Sequence, residues 1–225
     1  MKPNKINQKP SKKSTKPKIF PSIMAQSQPE IDWLFKNLSG AAKELHLDVA
    51  DGKCVPSTSL WFPFKLSSKF KYNIHLMIKN PTKWIEQNSP LKNIVLLIPQ
   101  LEEIKEPKEY IRRAKSNRRK IAFALRPETG INKIKPYLPE IDYVLILTVQ
   151  PGFYGAKFLS APLNKIKQIK QISPKVKIIV DGGMNPQTVK KAAAAGADFF
   201  VSGAFTTKSN NPKKQIKRLM ESISR

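Results

Sequence analysis

The sequence predicts one (β/α)8 barrel preceded by a short basic tail. Three observations carry this expectation. Eight apolar runs of strand length recur, at 19–24, 44–49, 72–77, 93–98, 121–125, 143–149, 176–180 and 199–201. Most are separated by segments with apolar residues at helical spacing. The runs are nearly continuous rather than alternating, as strands of a parallel sheet must be when helices cover it. Eight such units in roughly 200 residues suffice to close a barrel, with its chemistry at the C-terminal strand ends. An open doubly wound sheet is the alternative, but no Gly-x-Gly-x-x-Gly follows the first strand, which argues against a dinucleotide fold.

Residues 1–18 hold many lysines, no acids and almost no apolar groups. Such a segment cannot bury enough surface to offset its ordering entropy, so a disordered tail over 1–18 and a barrel domain over 19–225 are expected. It lacks the apolar stretch of a signal peptide. The first strand, Ile19 to Met24, leads to a helix over Pro29–Leu38. A second strand runs from Glu44 to Val49, followed by a short irregular or helical piece at 60–66. The third strand is Tyr72–Met77, with Pro81 opening a helix. The fourth strand, 93–98, precedes a basic helix over 109–115. The fifth, 121–125, precedes a helix over 131–138 that Pro136 weakens. The sixth strand, Tyr143–Val149, is the most apolar run and leads to a helix over 163–172. The seventh, 176–180, is followed by Asn185-Pro186, a strong helix start, and that helix stops at Gly196. The eighth strand, 199–201, precedes a last helix over 212–224.

The chain carries 41 Lys and Arg against 16 Asp and Glu, a net charge of +25. That balance favours phosphorylated metabolites, nucleic acid or anionic surfaces, unless it is a lysine-rich solvated exterior. Cys54 is the only cysteine, which excludes an internal disulfide and a cysteine zinc cluster and suits a cytoplasmic protein. No apolar run approaches the ~20 residues of a membrane span.

The second strand places His46 and Asp48 on one face, because side chains two apart point the same way. His75 and Asp181 lie at the ends of the third and seventh strands. In a barrel all four sit at the catalytic end, and two imidazoles with two carboxylates can bind one divalent transition ion: Zn2+, Fe2+, Mn2+ or Co2+. Taken singly, each could be a structural hydrogen-bonding residue. Glycines at 152, 155, 182, 183 and 203 follow the last three strands, where main-chain N–H groups of barrel loops often hold phosphate.

In five motifs the chain resembles the ribulose-phosphate 3-epimerase family, over roughly residues 19–207. They are Pro21-Ser22-Ile23; His46-Leu47-Asp48-Val49-Ala50-Asp51-Gly52 with Val55-Pro56; His75-Leu76-Met77 with Asn80-Pro81; Thr148-Val149-Gln150-Pro151-Gly152-Phe153; and Val180-Asp181-Gly182-Gly183-Met184-Asn185. The resemblance implies a TIM barrel that interconverts D-ribulose 5-phosphate and D-xylulose 5-phosphate in the pentose phosphate pathway. It implies Asp48 and Asp181 as the acid/base pair and His46, Asp48, His75 and Asp181 as ligands of one metal ion that stabilises an enediolate. Ser22, His75 and Met77 would contact the substrate. Gly152, Phe153, Gly155, Gly182, Gly183, Gly203 and Ala204 would hold its phosphate. A cytoplasmic homo-oligomer is implied as well.

The chain departs from the family pattern at Ala50, Ser57, Arg126, Tyr154, Ala156 and Ala204, and it lacks the histidine often found on strand four. Arg126 is expected to offer a compensating positive charge near the phosphate, and Tyr154 to crowd its loop. These departures keep two alternatives open. One is an epimerase of a related sugar phosphate such as allulose 6-phosphate. The other is a catalytically lapsed, basic RNA-binding homologue, which would bind nucleic acid non-specifically.

Overall fold

The computed structural model describes residues 16–88, 92–152 and 155–224. Eight parallel strands form the barrel: β1 (Lys18–Ile23), β2 (Glu44–Asp51), β4 (Lys71–Met77), β5 (Ile94–Pro99), β6 (Ala122–Leu125), β7 (Tyr143–Leu147), β8 (Lys177–Asp181) and β9 (Phe199–Ser202). Their order is β5-β4-β2-β1-β9-β8-β7-β6, and one bridge, Gln100 opposite Ala124, joins β5 to β6 and closes the ring. A short strand β3 (Thr58–Ser59) folds back antiparallel on the end of β2.

The period of two sorts each strand between lumen and helices. Phe20, Leu96, Ile98, Ala122, Ala124, Leu145, Leu147, Ile179, Phe199 and Val201 form one buried cluster. It plugs the lumen with apolar side chains, so polar groups further along the same faces sit on a dry floor. Alternate residues pack outward in two larger clusters against the helices.

The helices are α1 (Gln28–Leu38), α2 (Thr82–Asn88), α3 (Pro107–Ser116), α4 (Leu163–Ile172), α5 (Pro186–Ala195), α6 (Ala204–Thr207) and α7 (Pro212–Ile223). In α1, Ser27 caps the start, and Ile31, Leu34, Phe35 and Leu38 form the buried stripe. In α5, Asn185 and Thr188 form a reciprocal cap, and Gly196 ends the helix with φ 104°. Both ends agree with the sequence expectation.

Four features differ from that expectation. The helix over 131–138 is instead two tight 3-10 segments, Ile131–Lys133 and Lys135–Glu140. Pro136 and Pro139 have no N–H to donate, so an α-helical ladder cannot run through them. A strand not expected from the sequence, β3, precedes residues 60–66, which are irregular, one of the two forms expected there. The sixth run leaves the sheet after Leu147, because Thr148 turns its hydroxyl onto Asp181 O (3.0 Å) and Gly182 O (2.7 Å). The first strand begins at Lys18, inside the expected tail, and residues 1–15 of that tail lie outside the described residues. Among the described residues no helix is long and apolar enough to cross a membrane.

Candidate active site

Strand register builds the site. Asp48 lies opposite His75 across the β2–β4 ladder, and Ser22 opposite His46 across β1–β2. His46 and Asp48 share the lumen face of β2. Asp181 ends β8, with two strands between it and β2 in the sheet. Barrel closure nevertheless carries its carboxylate to within 3.8 Å of His46 Nε2 and 3.6 Å of His75 Nδ1. Asp48 Oδ1 is 3.4 Å from His46 Nε2 and 3.3 Å from His75 Nδ1. One ligand atom from each of the four residues lies within 4.8 Å of the others.

This donor set fits a divalent cation. His46 is fully buried, and among the described residues neither of its ring nitrogens has a hydrogen-bond partner. A buried polar nitrogen without a partner is destabilising by ~1–3 kcal/mol, and a cation facing Nε2 would relieve it. The 3.3–3.8 Å spacings between the imidazole and carboxylate atoms are those of ligands around one ion with bonds of ~2.1 Å. Neutral imidazole and carboxylate together suit first-row transition ions.

Without a cation the cluster balances its charge with protons. Burial opposes ionisation of Asp48, but the adjacent His46 and His75 outweigh it and hold the carboxyl well below the usual range. Burial likewise opposes protonation of His75, but its contacts with Asp181 and Asp48 prevail and raise it to about 9.

Above the cluster opens a cavity of 520 Å3. Asp48, His75 and Asp181 form part of its wall, and His46 lies outside the lining. Every expected substrate-contacting residue among those described lines it: Ser22, His75, Met77, Gly152, Gly155, Gly182, Gly183, Gly203 and Ala204. Phe153 and Tyr154 lie outside the described residues. The sequence reading missed Met24, Leu147, Phe158, Met184 and Phe205 in the wall. Met24 was within reach of that reading, since it stands two residues beyond Ser22.

Gly182 and Gly183 have φ of 111° and 67°, where an L side chain is strained. A Cβ on Gly182 would lie 2.5 Å from Val149 Cγ2, and one on Gly183 3.0 Å from Phe158 Cβ. Thr148 pins this turn through its two bonds to the carbonyls of 181 and 182, which fixes the main chain bearing Asp181.

Arg126 does not supply the expected charge to the phosphate end. Its guanidinium turns to Glu103 (2.8 Å), Cys54 O (3.1 Å) and Cys54 Sγ (3.3 Å), outside the cavity lining. Glu103 is buried and also pairs with Lys79 at 2.9 Å, so it holds Arg126 in place. Among the described residues no Lys or Arg lines the cavity, and any anion there would be met by main-chain N–H groups. Arg126 instead tethers the segment that folds over the site. Ser57 donates to Gly152 O from the same segment. Asp51 Oδ1 accepts from Lys53 N and Cys54 N, and its Oδ2 from Lys79 N, at 2.8–2.9 Å. Asp51 is therefore a loop anchor, although it stands three residues from Asp48. Ala50 packs with Val55 and Met77.

Residues 18–206 match the sequence profile of the family described as "Ribulose-phosphate 3 epimerase family". The ribulose-phosphate 3-epimerase of Eremothecium gossypii is 29% identical over 92% of this chain and 93% of its own length. The cytoplasmic isoform from Oryza sativa is 28% identical over 92% of this chain and 94% of its own. In fold, the chain is similar to 3-keto-L-gulonate-6-phosphate decarboxylase from Vibrio cholerae. The TM-score is 0.68 at 10% identity, covering 93% of this chain and 98% of the other.

Proposed function

Since the chain belongs to the ribulose-phosphate 3-epimerase family, and is therefore an isomerase-class enzyme, we propose that it interconverts D-ribulose 5-phosphate and D-xylulose 5-phosphate with Asp48 and Asp181 as its acid/base pair. The observation that carries this reading is the meeting of these two carboxylates from separate parts of the barrel wall. Asp48 Oδ1 and Asp181 Oδ2 both lie within 3.6 Å of His75 Nδ1, at the floor of one cavity.

Epimerisation at C3 needs a proton removed from one face of the carbon and a proton returned to the other. Two carboxylates flanking the substrate can divide that work. One takes the C3 proton, leaving an electron pair that delocalises into the C2 carbonyl, and the other delivers a proton from the opposite side. A divalent cation held by His46, Asp48, His75 and Asp181 would supply positive charge where the substrate oxygens become negative.

The chain's own residues do the rest. His46 and His75 stand beside both carboxylates and would share the cation with them. Met77, Leu147 and Val149 make the walls around the acid/base pair apolar, which keeps water from competing for the proton. Ser22 positions the sugar. Gly152, Gly155, Gly182, Gly183, Gly203 and Ala204 offer main-chain N–H groups to the phosphate, and the reading includes Phe153, which follows Gly152 in sequence. The same reading makes the protein a cytoplasmic homo-oligomer.

The test is an epimerase assay on zinc-, iron- and manganese-loaded protein with D-ribulose 5-phosphate and allulose 6-phosphate, beside Asp181→Asn. Turnover of the pentulose that falls by at least about 1,000-fold in the variant supports the assignment, since general acid/base catalysis is worth ~100–10,000-fold. Preference for the six-carbon phosphate would reassign the substrate. Metal-loaded protein that epimerises neither would overturn the reading.

A further inference from the structure

Gln100 is fully buried just beyond β5. Its main chain makes the bridge to Ala124, and its N–H donates to Leu76 O, next to His75, at 3.3 Å. Its side chain is directional, with two donors on one end and an acceptor on the other. Two of its neighbours, Ala124 O and Glu102 Oε2, can only accept. The amide nitrogen satisfies them at 3.2 and 3.1 Å, which leaves the amide oxygen 3.2 Å from His75 Nε2. Glu102 cannot swing away, because its Oε1 accepts from Arg126 N at 3.0 Å and from the Thr129 hydroxyl.

The polarity is therefore forced. An amide oxygen can only accept, so His75 Nε2 must carry a proton. A neutral imidazole has one N–H, so Nδ1 is left bare, and Nδ1 is the atom that faces Asp48 and Asp181.

We propose that Gln100 is a positioning residue for the metal site: its amide locks His75 in the Nε2–H tautomer and so presents the Nδ1 lone pair to a divalent cation. This rests on the cation reading above and extends it to a residue outside the ligand set. Partners of this kind, on the far nitrogen of a ligating histidine, set ring orientation and basicity. The Gln100 main chain also makes the bridge to Ala124, so that part of the barrel closure survives a side-chain change.

The experiment uses Gln100→Met, which keeps volume but loses the amide, and Gln100→Glu, which keeps an oxygen opposite His75 Nε2 and can share a proton with Glu102. Zinc affinity is read by competition with a chromophoric chelator, and the His75 nitrogens by long-range proton–nitrogen NMR. Wild-type protein should show a proton on Nε2 and zinc on Nδ1. Gln100→Met should lose about 10–100-fold in zinc affinity, and Gln100→Glu should stay within a few-fold of wild type. Equal affinity in Gln100→Met, an equal loss in both variants, or a wild-type proton on Nδ1 would each overturn the proposal. If Gln100→Met fails to fold, the wild-type spectrum and Gln100→Glu decide. Wild-type protein that takes up no zinc would sink the cation reading. The tautomer of metal-free wild type, at a pH where His75 is neutral, then decides the role of Gln100 separately.

Discussion

Gly182→Ala tests whether the turn after Asp181 is built for a bare main chain. The new Cβ would sit 2.5, 2.8 and 3.1 Å from Val149 Cγ2, Cγ1 and Cβ. Val149 is buried and β-branched, so its χ1 has little freedom to turn away. Overpacking of this kind is destabilising by ~1–3 kcal/mol. The φ of 111° adds ~1–3 kcal/mol of backbone strain for a residue with a Cβ. The expected total is about 2–6 kcal/mol, read from urea midpoints with the slope unchanged. Val149→Ala removes the colliding methyls. In the double variant the steric share should vanish and the strain share remain, giving an interaction energy of about 1–3 kcal/mol in the double-mutant cycle. Epimerase activity should fall more than stability explains, because the same turn carries Asp181. A loss below about 1 kcal/mol for Gly182→Ala, or strict additivity in the double variant, would refute the reasoning.

Two further outcomes concern protons. Burial, and Glu103 beyond it, push the Cys54 thiol up to about 11 from an ordinary 9.0, even though Arg126 lies beside it. Alkylation by iodoacetamide at pH 8 should therefore run about 100-fold slower than in urea-unfolded protein; equal rates would refute the burial. In the metal-free protein His75 is raised to about 9 from 6.5. Its contribution to stability is therefore complete below pH 6.5 and lost as the pH rises through 9. The Tm of chelator-stripped protein should fall across that window, while the rise in Tm on adding zinc should be larger at pH 9 than at pH 6.5. A stripped protein whose Tm is flat from pH 6.5 to 9 would contradict the carboxylate–imidazole contacts.

Much of the site was legible because its parts are local. The shared face of His46 and Asp48 follows from a period of two within one strand. The turn glycines at 182 and 183, and the cap at Asn185, are short-range signals of the same kind. Pro136 foretold trouble in its segment, but Pro139 was needed to explain why no α-helix forms there. The neighbourhood of Arg126 was misread because a charge near the right loop says nothing about its partner. Glu103 and Cys54 lie 23 and 72 residues away in sequence, and they decide where the guanidinium points. Gln100 was passed over for the same reason: its role appears only when His75, Glu102 and Ala124 surround one amide.

By itself, the sequence determined the strand–helix alternation, the nearly continuous apolar strands, the glycine turns and the four candidate ligands at strand ends. Periodicity and main-chain sterics act over a few residues, so they can be read along the chain. Only the tertiary structure decided that Asp181 meets His46 and His75 across the lumen, that His75 turns Nδ1 inward, and that no lysine or arginine among the described residues reaches the cavity wall. Those outcomes depend on how eight strands stagger and close, and on which distant groups satisfy each buried polar atom, and neither is encoded in any one segment.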